Sequence, residues 1–317
     1  MLCNIRDIEV NFASQTQPIQ EAARELGLSA LESRMFERFY GLKTLPYCAD
    51  EPLVNLARPA LENLITRHPD LLHNVKQVVH CHTIPSIIPF GEQPLLELTS
   101  ELFGPAIEFA SYTMGHCATA LSALKFTAAQ LKDDECAILL IAEKAFHKWV
   151  KLIPDTTIMG EAACAVVISK KGDQFKVMEN MTSRAGQFAL NSGYQTDKEK
   201  DKAFQESYTD ILSAHIHKSF DACNIFWSEL KYLIPHNVNW PSWKQVSNHI
   251  EIPMYCFFMD NIEHYGHCFG SDPFINLNTL WKNSKLKKED TLMLFSVGLG
   301  STASSAYIKC GDIHKKP

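Results

Sequence analysis

Nowhere in the 317 residues do about eighteen apolar residues run together, so the sequence offers no candidate transmembrane helix. The N-terminus, Met1-Leu2-Cys3-Asn4-Ile5-Arg6-Asp7, lacks a basic stretch followed by an apolar run, so no signal peptide is expected and the chain is expected to be cytoplasmic. Positive charge is not in excess: the formal net charge is −6, which argues against nucleic acid or an anionic membrane as the main partner. A disulfide framework is missing too. Ten cysteines are scattered without regular spacing, several inside apolar runs such as Glu135-Cys136-Ala137-Ile138-Leu139-Leu140, which fits buried reduced thiols. Glycine is sparse at 14 residues. What remains, 46% hydrophobic and 21% charged, is ordinary globular composition, enough for one large core or two fused ones. The expected target is a small molecule or a small carried group.

Short β-rich runs predict strands at Val75 to His80, Ala106 to Ala110, Ala137 to Ala142, Ala163 to Ile168, Lys231 to Ile234, Met254 to Phe258 and Leu292 to Val297. Helical patterns lie between them, at Pro52 to Arg67, Pro94 to Leu102, Ala118 to Leu131, Ala203 to Phe226 and Pro273 to Trp281. Alternating strands and helices imply an α/β fold with a mostly parallel, doubly covered sheet. The chain also repeats itself. The strand-like Lys76 to His82 is echoed by Lys231 to Asn237. Met114-Gly115-His116-Cys117 is echoed by Tyr265-Gly266-His267-Cys268, and the strand Cys136 to Ala142 by Thr291 to Val297. Three echoes in order, at an offset of about 150 residues, predict a duplicated α/β unit. The polar turn Lys170-Lys171-Gly172-Asp173 marks the seam, giving halves 1–171 and 172–317. The charge run Lys198 to Lys202 reads as a solvated loop or helix start.

Cys117 stands where a strand ends and the helix Ala118 to Phe126 begins. A thiol at a helix N-terminus meets unpaired N–H groups and the positive end of the dipole, which favour the thiolate. A cysteine drawn at random from these ten is a buried structural residue; position and repeat set this one apart. His236 follows a strand, and His267 sits in the loop Tyr265 to Gly270. Strand-end loops from two equivalent halves converge at one edge, where open α/β sheets place their sites. One thiol and two imidazoles there make a nucleophile with two groups able to hydrogen-bond or move protons. His80-Cys81-His82, or His264, His267 and Cys268, are of zinc-ligand type, but His80 and His82 give only two ligands on one strand face and no second Cys or His pair follows at finger spacing, so no metal is expected. Val297-Gly298-Leu299-Gly300-Ser301-Thr302 is either a plain glycine turn or a backbone N–H brought close to a reacting carbonyl. It is too short for a dinucleotide fingerprint.

In this order the pieces resemble the β-ketoacyl synthase III branch of the thiolase superfamily, from about Val75 to Lys309. Ala106 to Leu124 resembles that family's nucleophile strand and helix. Met159 to Val167 resembles its Gly-Asp-Gly-Ala-Gly-Ala strand, Pro235-His236-Asn237-Val238-Asn239 its His-Gln-Ala-Asn, and Ser296 to Lys309 its final hairpin, with Gly300 at the oxyanion glycine. The resemblance implies a thiolase-like fold of two duplicated halves in five layers, α-β-α-β-α. It implies Cys117, His236 and His267 as catalytic residues and the N–H groups of Cys117 and Gly300 as the oxyanion hole. No cofactor is implied beyond acyl-coenzyme A or acyl carrier protein as substrate. A homodimer is implied, with Pro89-Phe90 reaching into the neighbour's site. Three positions depart from the pattern. Gly266-His267-Cys268 stands for Gly-Asn-Thr, making the set Cys-His-His, as in elongating ketosynthases. Met35 to Leu42 lacks the coenzyme A-binding Trp and Arg, and no Arg stands near Asp155. Cys164 occupies a usual glycine.

The implied reaction is decarboxylative condensation of acyl-Cys117 with a malonyl-type thioester. An acyltransferase passing the acyl group to an alcohol or amine, a non-catalytic ketosynthase partner subunit and a Cys-His hydrolase are the competing readings. Lys125, Lys132, Lys144, Lys148 and Lys151 are candidates for docking an acidic acyl carrier protein. The loops Ile84 to Phe90 and Gly186 to Lys202 are expected to build the acyl tunnel.

Overall fold

The computed structural model describes residues 1–83, 88–113, 115–188 and 198–313. One mixed sheet contains β1 (Cys3–Phe12), β2 (Val75–Cys81), β3 (Glu108–Tyr112), β4 (Cys136–Ala142), β5 (Ala162–Ser169), β6 (Phe175–Arg184), β7 (Tyr232–Ile234), β8 (Thr291–Val297) and β9 (Thr302–Cys310). Their spatial order is β7-β8-β9-β6-β1-β5-β4-β2-β3. The sheet divides at β1 and β6, which meet edge to edge, antiparallel, through Cys3–Val177, Asn4–Lys176 and Ile5–Phe175. The turn between β5 and β6 holds the residues at which the sequence places the seam.

Helices complete five layers. α1 (Leu53–Arg67) and α2 (Ile88–Phe103) cover the outer face of the first half. α3 (Thr119–Ala129) and α6 (Asp272–Lys282) lie between the half-sheets, and each touches strands of both. α4 (Lys198–Cys223) and α5 (Trp240–His249) lie on the second half's outer side, α4 against the sheet and α5 against α4. This is the α-β-α-β-α order that the resemblance implies. Strand alternation sorts side chains between layers: in β4, Leu139 and Ile141 join the middle core, while Ile138, Leu140 and Ala142 join the outer one. Each fully buried Leu or Ile contributes about 1.5–3 kcal/mol, so a strand apolar on both faces is stable only with both sides covered. No helix among the described residues is long and apolar enough to cross a membrane.

The duplication is visible residue by residue. The pair Gln77–Ala137 between β2 and β4 recurs 155 residues later as Tyr232–Leu292 between β7 and β8. The helix Thr119–Ala129 recurs 153 residues later as Asp272–Lys282. Both helices follow a three-residue 3-10 turn, His116–Ala118 and Phe269–Ser271, whose first residue has φ of 49° and 53°. The Gly-His-Cys echo is therefore two residues out of structural register: the counterpart of Cys117 is Gly270, not Cys268.

Three sequence expectations shift. The sheet is mixed and not mostly parallel: three of its strand pairs run parallel and five antiparallel, because β1, β5, β6 and β9 bring the two halves together edge to edge. Met254 to Phe258 is not a strand: Pro253 leads into a 3-10 turn at Met254–Cys256, and this stretch joins the sheet only through a Leu233–Phe257 bridge. β3 starts at Glu108 rather than Ala106, in parallel register with Gln77 of β2.

Candidate active site

Cys117 lies in the 3-10 turn that feeds α3 and is 5% exposed. The left-handed His116 turns the chain sharply before it, and the turn between β8 and β9 closes over this bend. A Cβ at Gly298 would fall 2.5 Å from the Gly115 carbonyl oxygen and 2.6 Å from His116 Cβ, so only glycine fits. Ser296 Oγ, one strand step earlier, donates to the Cys117 carbonyl at 2.8 Å. Gly300 stands at the tip of the same turn, which is tied by Gly298 N–H to Thr302 O at 2.8 Å. Among the described residues the N–H groups of Cys117 and Gly300 have no hydrogen-bond acceptor.

The structure brings Cys117, His267 and His236 together. His267 Nε2 is 3.2 Å from Cys117 Sγ. Its Nδ1 is 2.5 Å from Asp272 Oδ2, at the first residue of α6. Asp272 is fully buried and also accepts from Asn237 N–H at 2.6 Å and Cys268 N–H at 2.8 Å. A carboxylate at a helix N-terminus is favoured by the helix dipole. Burial alone would push the His267 imidazole down, but the Cys117 thiolate and the Asp272 carboxylate outweigh it and hold the imidazole well above its ordinary value. That environment favours the protonated form of His267.

His236 is tuned the other way. Burial, and then the charge of His267, push its imidazole well below 6.5, so it is neutral. Its Nδ1 accepts from Val297 N–H at 3.4 Å, which places the ring proton on Nε2. That Nε2 is buried and, among the described residues, has no partner. Trp243 packs edge-on against the ring, 5.5 Å between centroids, and its indole N–H donates to the His236 carbonyl at 2.9 Å. Asn276 on α6 donates to Pro235 O and Asn237 Oδ1, each at 2.8 Å, pinning this loop to the helix that carries Asp272. The two imidazoles stand 5.2 Å apart, tilted 62°.

Sequence reasoning missed Asp272 and Ser296. The one signal for Asp272 was an Asp-Pro pair opening a helix directly after the His267 loop. His80 and His82 are not gathered with a third ligand. Their rings stack at 4.8 Å, with His80 Nε2 on the Ala142 carbonyl and His82 Nε2 on Ser111 Oγ. Among the described residues no group of three His, Cys, Asp or Glu side chains forms a metal-ligand set.

Residues 220–310 match the model of the 3-oxoacyl-[acyl-carrier-protein] synthase III family, C-terminal part. A curated β-ketoacyl-[acyl-carrier-protein] synthase III of Clostridioides difficile (strain 630) is 22% identical over 191 residues, covering 54% of this chain and 58% of that relative. The match thus spans less than two thirds of the relative's length. Among solved structures, ChlB3, described as an acyltransferase, has a TM-score of 0.83 at 17% identity, over 97% of both chains. The 3-oxoacyl-[acyl-carrier-protein] synthase III of Aquifex aeolicus VF5 has a TM-score of 0.75 at 16% identity, over 97% of this chain and 99% of that one. The C-terminal part of the chain is thus similar to the synthase III family, and the whole chain shares the fold of these solved structures. A variant of Xanthomonas campestris OleA shares the fold at a TM-score of 0.78 and 15% identity, over 97% and 98%.

On this synthase III-like frame, two of the five lysines expected on a docking face are internal. Lys144 binds Glu161 Oε2 and the Cys48 carbonyl. Lys151 is 4% exposed, reaches Gln17 Oε1 at 2.8 Å and lies over the Tyr47 ring. Each lysine's ammonium finds buried acceptors, which outweigh solvation at the surface. Lys125, Lys132 and Lys148 are exposed. Residues 84–87 and 189–197 of the expected tunnel loops Ile84 to Phe90 and Gly186 to Lys202 lie outside the described residues, while Pro89-Phe90 falls in the first turn of α2.

Proposed function

We propose that the chain takes an acyl group from a thioester onto Cys117 and condenses it with a malonyl-type thioester, releasing carbon dioxide. The observation that carries this reading is the line Cys117–His267–Asp272 beside a neutral His236 whose Nε2–H is free to donate. Cys117 Sγ attacks the thioester carbon, and the N–H groups of Cys117 and Gly300 stabilise the tetrahedral oxyanion. One such donor is worth about 2.7–4 kcal/mol when preorganised. The leaving thiol takes its proton from His267. The extender's thioester oxygen then accepts from Nε2–H of His236, and from His267 once that ring has taken a proton from solvent, while carbon dioxide leaves and an enolate forms. The enolate carbon attacks the acyl carbon, the C–S bond breaks, and Cys117 Sγ departs with the electron pair. Acyl-coenzyme A or an acyl carrier protein supplies the donor, a second copy completes a homodimer, and the reaction takes place in the cytoplasm. No cofactor enters.

Asp272 favours a second reading. Acylation removes the charge of Cys117, the largest influence holding His267 up, and leaves a carboxylate-backed imidazole able to act as a base. Such a base suits transfer to an alcohol or amine, and ChlB3 is itself described as an acyltransferase.

Intact-mass measurement of the protein after incubation with a panel of acyl thioesters tests the first half-reaction. An adduct on wild type that is absent from Cys117→Ser supports it, and no adduct with any donor would favour a non-catalytic partner subunit. Carbon dioxide release from a labelled malonyl thioester tests the second. Acylated Cys117 without carbon dioxide release sinks condensation and leaves acyl transfer.

A further inference from the structure

One buried polar group near the loop that carries His267 has no part in the mechanism above. Beyond the paired residues Cys81 and Ile141 of β2 and β4, Thr83 Oγ1 donates to Glu143 Oε1 at 2.6 Å. Val79, Cys81, Leu139 and Ile141 face the middle layer, and positions 83 and 143 continue that alternation. The residues flanking Glu143 grip the loop that carries His267. Ile141 O accepts from Ser271 Oγ at 3.2 Å, and Ala145 packs in one cluster with Phe269. Glu143 is 3% exposed, yet among the described residues its Oε2 has no hydrogen-bond partner. Burial lifts its carboxyl from 4.5 to about 7, while Thr83 and the charges of His80 and His267 pull the other way. An acceptor left unpaired in such a place is complete only when something else donates to it.

We propose that Glu143 Oε2 is a recognition point that accepts a hydrogen bond from a hydroxyl or amino group on the molecule reacting at Cys117. The proposal rests on the reading that a thioester reacts there. The donating group belongs either to the acyl chain or to the acceptor. A site built around such a bond rejects an analogue lacking it strongly, by up to about 10⁴–10⁵-fold, because the protein group is then left unpaired. A plain alkyl group is therefore a poor fit.

Two arms separate the sources. For the acyl chain, calorimetry on the Cys117→Ala protein compares butyryl, β-hydroxybutyryl and β-aminobutyryl thioesters of N-acetylcysteamine. For the acceptor, release of acyl-Cys117 by propylamine is compared with release by aminopropanol, followed by mass. The expected result is a preference of at least about a hundredfold for the substituted member in one arm, collapsing in Glu143→Gln. Equal treatment in both arms, or an unchanged ratio in Glu143→Gln, overturns the proposal. Should Glu143→Gln fail to melt cooperatively, Glu143→Asp replaces it: a diminished preference supports the proposal and an undiminished one overturns it. The binding arm needs no acyl transfer. An absent adduct on wild type would therefore sink the acyl-cysteine reading alone, and the binding contrast would still decide this one.

Discussion

The two halves share a frame and differ at its tips. In the second half the first inward-facing positions past the middle core are His236, following Ile234 of β7, and Ser296 of β8. The same positions in the first half, 155 residues earlier, are Cys81 and Ile141, both apolar and buried. One step further on, the first half carries the Thr83–Glu143 pair where the second has Val238 and Gly298. The first half supplies the nucleophile and a carboxyl; the second supplies both imidazoles and the Asp272 that orients one of them. Equivalent backbone thus divides the labour without repeating it. Duplication sets positions, and side chains at strand tips set roles.

The sharpest way to break this comparison is to remove the imidazole touching the thiol. His267→Ala is expected to slow Cys117 acylation by about 10²–10⁴-fold, the range for a positioned proton-transfer group. Mass-resolved acylation rates check it, and a rate within threefold of wild type would deny the pairing. His236→Ala should cost about 10²–10³-fold in product formation, as for a lost oxyanion-type donor. Alkylation of Cys117 by iodoacetamide should change far less. Equal losses in both assays would mean that His236 acts on the thiol and not on the substrate.

Gly298→Ala probes the contact between the halves. Its methyl would lie 2.5 Å from the Gly115 carbonyl, so a loss of about 1–3 kcal/mol is expected, read from urea unfolding. A fully stable Gly298→Ala protein would show that the turn yields freely. The smallest effect concerns pH. His267 is held above its ordinary 6.5, so its contribution to stability is complete below that value and fades as pH rises through the raised one. Asp272→Asn should flatten the alkaline loss of stability measured by urea titration. His236 works in the opposite window: it is held below 6.5 and neutral, so acidification through 6.5 and lower favours the unfolded chain. An alkaline limb identical in Asp272→Asn would remove Asp272 from the tuning of His267.

Strands buried on both faces were legible because apolar runs admit few other readings; β4 and β8 fall within one residue of their expected limits. β1 was not legible, since Arg6, Asp7 and Glu9 interrupt it. Those charges are held by residues distant in sequence: Asp7 by Arg67 at 2.9 Å and His68 at 2.8 Å, Glu9 by Arg67 at 3.0 Å. A strand whose polar groups are satisfied only by the folded protein carries no local signature. Cys117, His236 and His267 were legible through the repeat and the resemblance. Asp272 was not, because its role depends on a turn of φ 53° at Phe269 that folds five residues back on themselves.

That left-handed turn occurs in both halves, although only one of them ends in a thiol. A non-glycine residue in this conformation costs roughly 1–2 kcal/mol, and here the cost recurs at Phe269, where no nucleophile follows. The bend therefore belongs to the architecture and not to the chemistry of a particular residue. Its second copy leaves little space for a like use: a Cβ on Gly270 would sit 3.3 Å from the Cys117 carbonyl oxygen, which would have to give slightly. The backbone of one bend thus crowds the side-chain position of the other, and glycine at 270 meets that crowding without any shift.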